Sequence, residues 1–208
     1  TQGEDLVAFY GSGTAVAYDS MMDDEMKKVV DDLEFVAKHL PQRQPRRILD
    51  TCVGTGHYLA YFSSSDNIEL FGTDISEAML EKARKRLPCA TLGIRNMLEE
   101  PTNDSKLYDA IFNNFALHHA TGQEAARAIQ MWADMLVPNG LLYVSVWEGR
   151  GKIDYGEEMK MESLLILQSN LEAWIEKAGL RIVRKRNTVE IEMGNMKTAY
   201  LVAVKKAS

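Results

Sequence analysis

Cysteine and proline are both scarce in this sequence, and no long apolar run interrupts it. Its two cysteines, Cys52 and Cys89, are too few for a disulfide framework and lack Cys-x-x-Cys spacing, so a stapled secreted fold and a zinc ribbon are both excluded. No segment approaches the ~20 apolar residues that a membrane helix needs, and no charged-then-apolar leader opens the sequence. The expectation is a cytoplasmic protein with no membrane partner. Positive charge is not in excess either: 24 Lys+Arg against 30 Asp+Glu leave a formal net charge of −6, which disfavours a nucleic-acid partner. Two basic clusters, Arg43/Arg46/Arg47 and Arg181/Arg184/Lys185/Arg186, read as solvated faces beside element ends. With 46% hydrophobic residues in 208, and no repeat or low-complexity tract, a single domain spanning 1–208 can bury its own core.

The apolar periodicity changes along the chain. From about Met22, residues Met26, Val29, Val30, Leu33, Val36 and Leu40 recur at helical spacing until Pro41 and Pro45. Short strands follow at Arg47–Thr51, Ile68–Asp74, Ala90–Arg95, Tyr108–Asn113 and Leu141–Trp147. Helices lie between them, carrying Tyr58/Leu59/Phe62, Met79/Leu80/Ala83/Leu87 and Ala125/Ala128/Ile129/Trp132/Leu136. Ser76 suits a helix cap and Pro138-Asn139-Gly140 a turn. Alternating strands and helices imply an α/β fold, a doubly wound Rossmann-like sheet that is mostly parallel and covered on both faces. The end differs. Ser169-Asn170-Leu171-Glu172 has the form of a capping box, Gly179 closes the helix it starts, and two strands joined at Gly194-Asn195 predict an antiparallel C-terminal hairpin. Seven strands are expected in all.

Chemistry concentrates at the first turn. A strand ending in Asp50 runs into Thr51-Cys52-Val53-Gly54-Thr55-Gly56, a glycine turn that lets a ligand approach the backbone closely. Asp74 ends the next strand, 20 positions after Gly54, where a carboxylate can accept from both ribose hydroxyls. A dinucleotide site would want a third glycine where Leu59 stands, and Asp50 beside the turn disfavours a pyrophosphate, so a nicotinamide dehydrogenase is disfavoured. An acidic turn suits a cationic ligand.

Ile48-Leu49-Asp50-Thr51-Cys52-Val53-Gly54-Thr55-Gly56 resembles the first motif of class I S-adenosylmethionine-dependent methyltransferases of the small-molecule type. Gly72 to Leu80, Tyr108 to His119, Leu136 to Leu141 and residues 171–204 resemble that family's later segments in the same order. The resemblance implies the following roles. Asp50, Thr51, Cys52, Gly54 and Gly56 would line the methionine part of S-adenosylmethionine, and Asp74 would bind its ribose. Ile75 and Met79 would pack on the adenine. Asn96 and Met97 would lie near the adenine amino group, and Asn114 and Phe115 beside the methionine moiety. Tyr10 and Tyr18, in an N-terminal segment folding over the cofactor, would put an aromatic near the sulfonium. Cys52 departs from the usual first glycine and Asn96 from the common aspartate; neither removes the ribose or methionine contacts. S-adenosylhomocysteine would be the product. The implied layout is an N-terminal lid and helix (1–40), a cofactor core (46–147), a substrate lid (148–168) and a closing helix and hairpin (169–208).

His118, His119 and Tyr18 are the candidates for moving a proton. As strand neighbours the two histidines would face opposite ways and could not share a metal unless the chain turned there, and no metal is expected. A magnesium-dependent catechol-type site would need acidic ligands where Asn113-Asn114 stand. The reaction implied is in-line methyl transfer to a small-molecule nucleophile, whether oxygen, nitrogen, sulfur or carbon. Two alternatives stay open: the same fold binding the cofactor for pericyclic or structural work, and a protein or RNA methyltransferase.

Overall fold

The computed structural model describes residues 11–100, 107–153 and 163–207. Its elements in chain order are α1 (Ser12–His39), β1 (Arg46–Asp50), α2 (His57–Ala60), β2 (Ile68–Asp74), α3 (Glu77–Arg86), β3 (Thr91–Ile94), β4 (Tyr108–Asn114), α4 (Gly122–Asp134), β5 (Leu136–Glu148), α5 (Gln168–Lys177), β6 (Leu180–Glu190) and β7 (Met196–Lys205). The strands form one seven-stranded sheet in the order β3-β2-β1-β4-β5-β7-β6. β3, β2, β1, β4 and β5 pair in parallel, whereas β7 pairs antiparallel with both β5 and β6. The strand order reverses between β1 and β4, so a ligand crevice opens at their carboxyl ends.

The sheet divides two apolar layers, as side-chain alternation requires. Leu49, Ile111, Leu142 and Val144 point to the layer that Ile129 and Trp132 of α4 and Leu171 and Ile175 of α5 complete. Their neighbours Ile48, Phe112, Leu141 and Tyr143 point the other way, against Val29, Leu33 and Val36 of α1, Leu59 of α2 and Leu80 of α3. Central strands buried on both faces read as unbroken apolar runs, and β4 is buried at all but its last residue.

Several expectations need correction. α1 begins at Ser12, not near Met22: its first turns carry no regular apolar stripe, so periodicity could not place them. The segment Pro138-Asn139-Gly140 lies inside β5 as an irregularity, where pairing with β4 jumps from Leu136 to Leu141 and Asn139 takes φ 63°. α5 starts at Gln168 with no side-chain cap. Its supposed capping Glu172 instead accepts from Gln168 Nε2 (2.6 Å) and Lys185 Nζ (3.1 Å). A complete capping box stands at Thr121 and Glu124 of α4.

The basic clusters are not simple solvated faces. Asp32 of α1, 1% exposed, accepts from Arg184 Nε (2.7 Å), Arg186 Nη2 (2.7 Å) and Tyr143 Oη (3.0 Å). The Arg186 guanidinium also lies 3.9 Å from the Tyr200 ring centroid. Arg43 and Arg47 reach Asp109 and Glu69. Burial would raise the Asp32 carboxyl, but hydrogen bonds from Arg186 and Arg184 outweigh it and hold the group below its ordinary range. The stability it contributes is therefore present above the unfolded carboxyl pKa and is lost as pH falls through the lower folded value. Removing one member of a buried ion pair costs about 3–5 kcal/mol. Both arginines are partly solvated, so Asp32→Ala should cost about 2–3 kcal/mol and lower Tm by roughly 5–10 °C at neutral pH, read by thermal unfolding.

Candidate functional site

β1 delivers Asp50 to the crevice, and the chain then turns through two left-handed glycines, Gly54 at φ 53° and Gly56 at φ 91°. Gly56 caps the start of α2. The turn is tied to β2 twice: Val53 N–H donates to Thr73 O (2.8 Å) and Gly54 N–H to Asp74 Oδ2 (2.9 Å). The other Asp74 oxygen accepts from Ser76 N–H at 2.9 Å. Each carboxylate oxygen has a second lone pair, so Asp74 keeps acceptor capacity for a diol.

Asp50 is 2% exposed, and among the described residues it accepts a hydrogen bond from Cys52 N–H at 3.1 Å. Burial, together with the neighbouring Asp74 charge, pushes its carboxyl up to about 7. A buried carboxyl so poorly compensated is a ready counter-charge for a cation. Burial and the same two carboxylates push the Cys52 thiol up, which makes it an unreactive wall; its Sγ sits 3.5 Å from Met97 Sδ.

The structure places the other candidates around this centre in different ways. Thr51 and Met79 lie below the crevice surface: Thr51 Oγ1 is used between Phe112 O (3.1 Å) and Asn113 Nδ2 (2.9 Å), and Met79 is 1% exposed. Ile75 is half-buried beside Asp74. Asn96 Oδ1 accepts from Leu98 N–H at 3.0 Å, closing the loop after β3. Asn114 Oδ1 accepts from Ser145 Oγ at 2.8 Å, while its Nδ2, like Asn113 Oδ1, is buried without a hydrogen-bond partner among the described residues. Phe115 follows at φ 48°, a backbone conformation disfavoured for a bulky residue. Its ring is held 4.7 Å from Trp147 and 5.6 Å from Tyr200.

His118 and His119 lie in a single 3-10 turn, not in a strand, so their rings come together at 4.0 Å. A 3-10 turn rotates successive residues by about 120°, not 180°. His118 is 4% exposed, its Nδ1 has no hydrogen-bond partner among the described residues, and its backbone O accepts from Leu164 N–H at 2.8 Å. His119 Nδ1 is 3.0 Å from Ser163 Oγ. Burial lowers both imidazoles, His119 to about 4 and His118 well below its ordinary value, with His119 adding to the latter. Both are neutral at pH 7.

Tyr18, on α1, is half-buried on the glycine turn: a Cβ at Gly54 would meet its ring at 3.1 Å and its hydroxyl at 3.2 Å. Tyr10 lies outside the described residues, as do Tyr155, Glu157, Glu158, Met159 and Met161 of the expected substrate lid. The described flanks of that lid pair with each other, Ile153 N–H donating to Ser163 O at 2.8 Å. Sequence reasoning missed Trp147 as a wall of the site, although its place at the end of β5 was available as a signal. It also missed Glu25, which accepts from Tyr58 Oη (3.1 Å) and Tyr200 Oη (2.9 Å); no local pattern links residues 175 positions apart.

The observed acceptors and charges fit S-adenosylmethionine: a buried acid at Asp50 for its cationic end, an acceptor at Asp74 for a ribose, and a glycine turn with an aromatic ring, Tyr18, packed on Gly54. Residues 48–140 match a family model described as a methyltransferase domain. An uncharacterized methyltransferase of Oceanobacillus iheyensis is 27% identical over 120 residues, 58% of this chain and 55% of the relative. A dTDP-3-amino-3,4,6-trideoxy-alpha-D-glucopyranose N,N-dimethyltransferase of Streptomyces venezuelae is 32% identical over 48% of this chain and 42% of its own. A probable tRNA methyltransferase 9B of Bos taurus is 34% identical over 54% of this chain and 24% of its own. The chain thus spans about half the length, or less, of the curated relatives it matches. Among solved structures, magnesium protoporphyrin IX methyltransferase from Synechocystis with bound S-adenosylhomocysteine shares the fold at TM-score 0.76, 14% identity, and coverage of 99% of this chain and 100% of that one. With its sheet order and its glycine turn the chain shares the fold of solved S-adenosylmethionine-dependent methyltransferases, and its residues 48–140 match a methyltransferase domain.

Proposed function

We propose that this chain binds S-adenosylmethionine above the Asp50–Gly56 turn and Asp74, and transfers its methyl group to a small-molecule nucleophile. The observation that carries the reading is the Asp50 carboxyl, 2% exposed at the start of the glycine turn, which burial and the Asp74 charge push up to about 7. The cofactor supplies a methyl group on a sulfonium that is already a good leaving group. The work left to the protein is alignment, which can supply much of the barrier reduction. Asp74 and the turn fix one end of the crevice. Asn114, the strained Phe115 and Trp147 form the wall at the ends of β4 and β5, where an acceptor would sit.

His118 and His119 accept hydrogen bonds in this reading and do not strip strongly held protons. An imidazole with a pKa near 4 is neutral but weakly basic. It can orient an N–H or O–H of the acceptor, and a neutral amine needs no stronger base. Tyr18 places a ring or hydroxyl against the turn, where a sulfonium gains from an aromatic face. Residues 1–208 act as one unit in this proposal, with 1–40 and 148–168 as lids over a 46–147 core.

A small-molecule acceptor is favoured by the net charge of −6 and by the pairing of Arg184 and Arg186 with Asp32, which offsets part of that basic cluster. The aminosugar dimethyltransferase relative is consistent with it; the tRNA methyltransferase relative keeps RNA as the second reading. Calorimetric titration with S-adenosylmethionine, S-adenosylhomocysteine and NAD tests the cofactor. Binding of the two sulfur ligands without NAD is expected, and silence toward them in folded protein defeats the proposal. S-adenosylhomocysteine release over a panel of amines, amino sugars and tRNA then separates the acceptor classes.

A further inference from the structure

Asp19, one residue beyond Tyr18, is tied to the far side of the crevice. Its Oδ2 accepts from Lys82 Nζ and its Oδ1 from Arg86 Nη2, both at 3.0 Å and both from α3. The same Arg86 guanidinium donates through Nε to Thr55 O at 2.9 Å. Thr55 stands between Gly54 and Gly56, so one guanidinium holds the glycine turn with one nitrogen and the N-terminal helix with another. The Tyr18 ring rests on Gly54 directly beside this fork. Burial would raise the Asp19 carboxyl, but hydrogen bonds from Lys82, Thr55 and Arg86 hold it below its ordinary range, as an engaged carboxylate should be.

The rest of α1 is anchored elsewhere. Glu25 is held by Tyr58 and Tyr200, and Asp32 by Arg184 and Arg186. Those contacts and the apolar stripe from Val29 to Leu40 fix the helix from its middle onward. Nearer the start of α1, buried Met22 and an exposed Asp23 paired with His57 Nε2 at 3.3 Å add to the hold, and the Asp19 fork lies next to Tyr18 itself. A helix held by buried contacts along one half, and largely by part-solvated charged contacts along the other, has its less stable segment over the ligand crevice.

We infer that Asp19 is a positioning residue: through Lys82 and Arg86 it docks the first turns of α1 and so sets Tyr18 over the glycine turn against the bound cofactor. The inference rests on the cofactor reading above. It assigns Asp19 no contact with the reacting atoms.

The test is a double-mutant cycle on S-adenosylhomocysteine affinity, with wild type, Asp19→Asn, Tyr18→Ala and the double variant. Asp19→Asn should weaken binding about three- to tenfold, as loss of two part-exposed charged contacts allows. In the Tyr18→Ala background the same change should have less than about a twofold effect, because Asp19 acts through the ring that is gone. Asp19→Glu should recover part of the loss, and added salt should weaken wild type more than Asp19→Asn. Hydrogen exchange on the free protein gives a readout without ligand: Asp19→Asn should speed exchange in residues 18–22 and leave 29–39 unchanged. Wild-type affinity in Asp19→Asn, or equal effects in both backgrounds, overturns the inference. Failure of wild type to bind at all overturns the cofactor reading and this inference with it.

Discussion

Replacing Asp74 by alanine is expected to weaken S-adenosylmethionine binding by at least about 100-fold. Two losses combine. The ribose loses its acceptor, and the Gly54 and Ser76 N–H groups lose theirs, at 2.9 Å each. A charge-assisted hydrogen bond contributes about 1.5–3 kcal/mol, and about 2.7 kcal/mol is already 100-fold in affinity. Burial raises the Asp74 carboxyl, and the Ser76 and Gly54 hydrogen bonds offset part of that rise, so removing the charge returns some desolvation energy to the unliganded fold. Affinity should therefore fall much further than thermal stability. Asp74→Asn keeps an acceptor oxygen but presents N–H₂ to one of the two amides, and should fall between wild type and alanine. Calorimetry paired with thermal unfolding checks this, and an unchanged Kd in Asp74→Ala would remove the ribose assignment.

Binding should also depend steeply on pH, through Asp50. In the free protein burial and the Asp74 charge hold this carboxyl at about 7. A cation placed beside it would lower that value, so below pH 7 binding must expel a proton. Affinity should rise about tenfold per pH unit below that point and level off above roughly pH 8. Proton release measured in two buffers of different ionisation enthalpy should approach one near pH 6 and vanish near pH 8.5. The unliganded fold responds in the opposite sense. A carboxyl raised in the folded state favours folding while protonated, and that advantage is lost as pH climbs from the unfolded value near 4 through 7. Asp50→Asn escapes the loss and can still accept from Cys52 N–H. It should be more stable than wild type at pH 8, by at most about 4 kcal/mol, while binding the cofactor far less tightly. A flat affinity profile from pH 6 to 8.5 would refute the role given to Asp50.

What was legible in the sequence was local or periodic. The β1–turn–α2 unit announces itself because an acid, a glycine pair and a helix must follow one another within a few residues for the backbone to bend as it does. The sheet was legible because buried parallel strands have to be apolar throughout. What escaped needed partners distant in sequence. Asp32 reads as one more acid on a helical polar face until Arg184 and Arg186, 152 and 154 residues later, fold onto it. The histidine pair was misjudged because one 3-10 turn after β4, invisible to period counting, changes which way each ring points. Glu172 satisfies the capping pattern, yet Lys185 and Gln168 compete for its carboxylate and the helix starts without it.

The position of β7 has a consequence for biosynthesis. This strand lies inside the sheet, zipped between β5 and β6, although it is the last of the seven to be made. During vectorial synthesis β5 emerges with β4 on one side and nothing on the other. Its residues Leu141–Val146, buried on both faces in the finished fold, then present an unpaired apolar edge. That edge closes when Met196–Lys205 has cleared the ribosome and inserted. Between the emergence of β5 and that of β7 the nascent chain therefore carries a template for wrong strand pairing, and the insertion of β7 removes it.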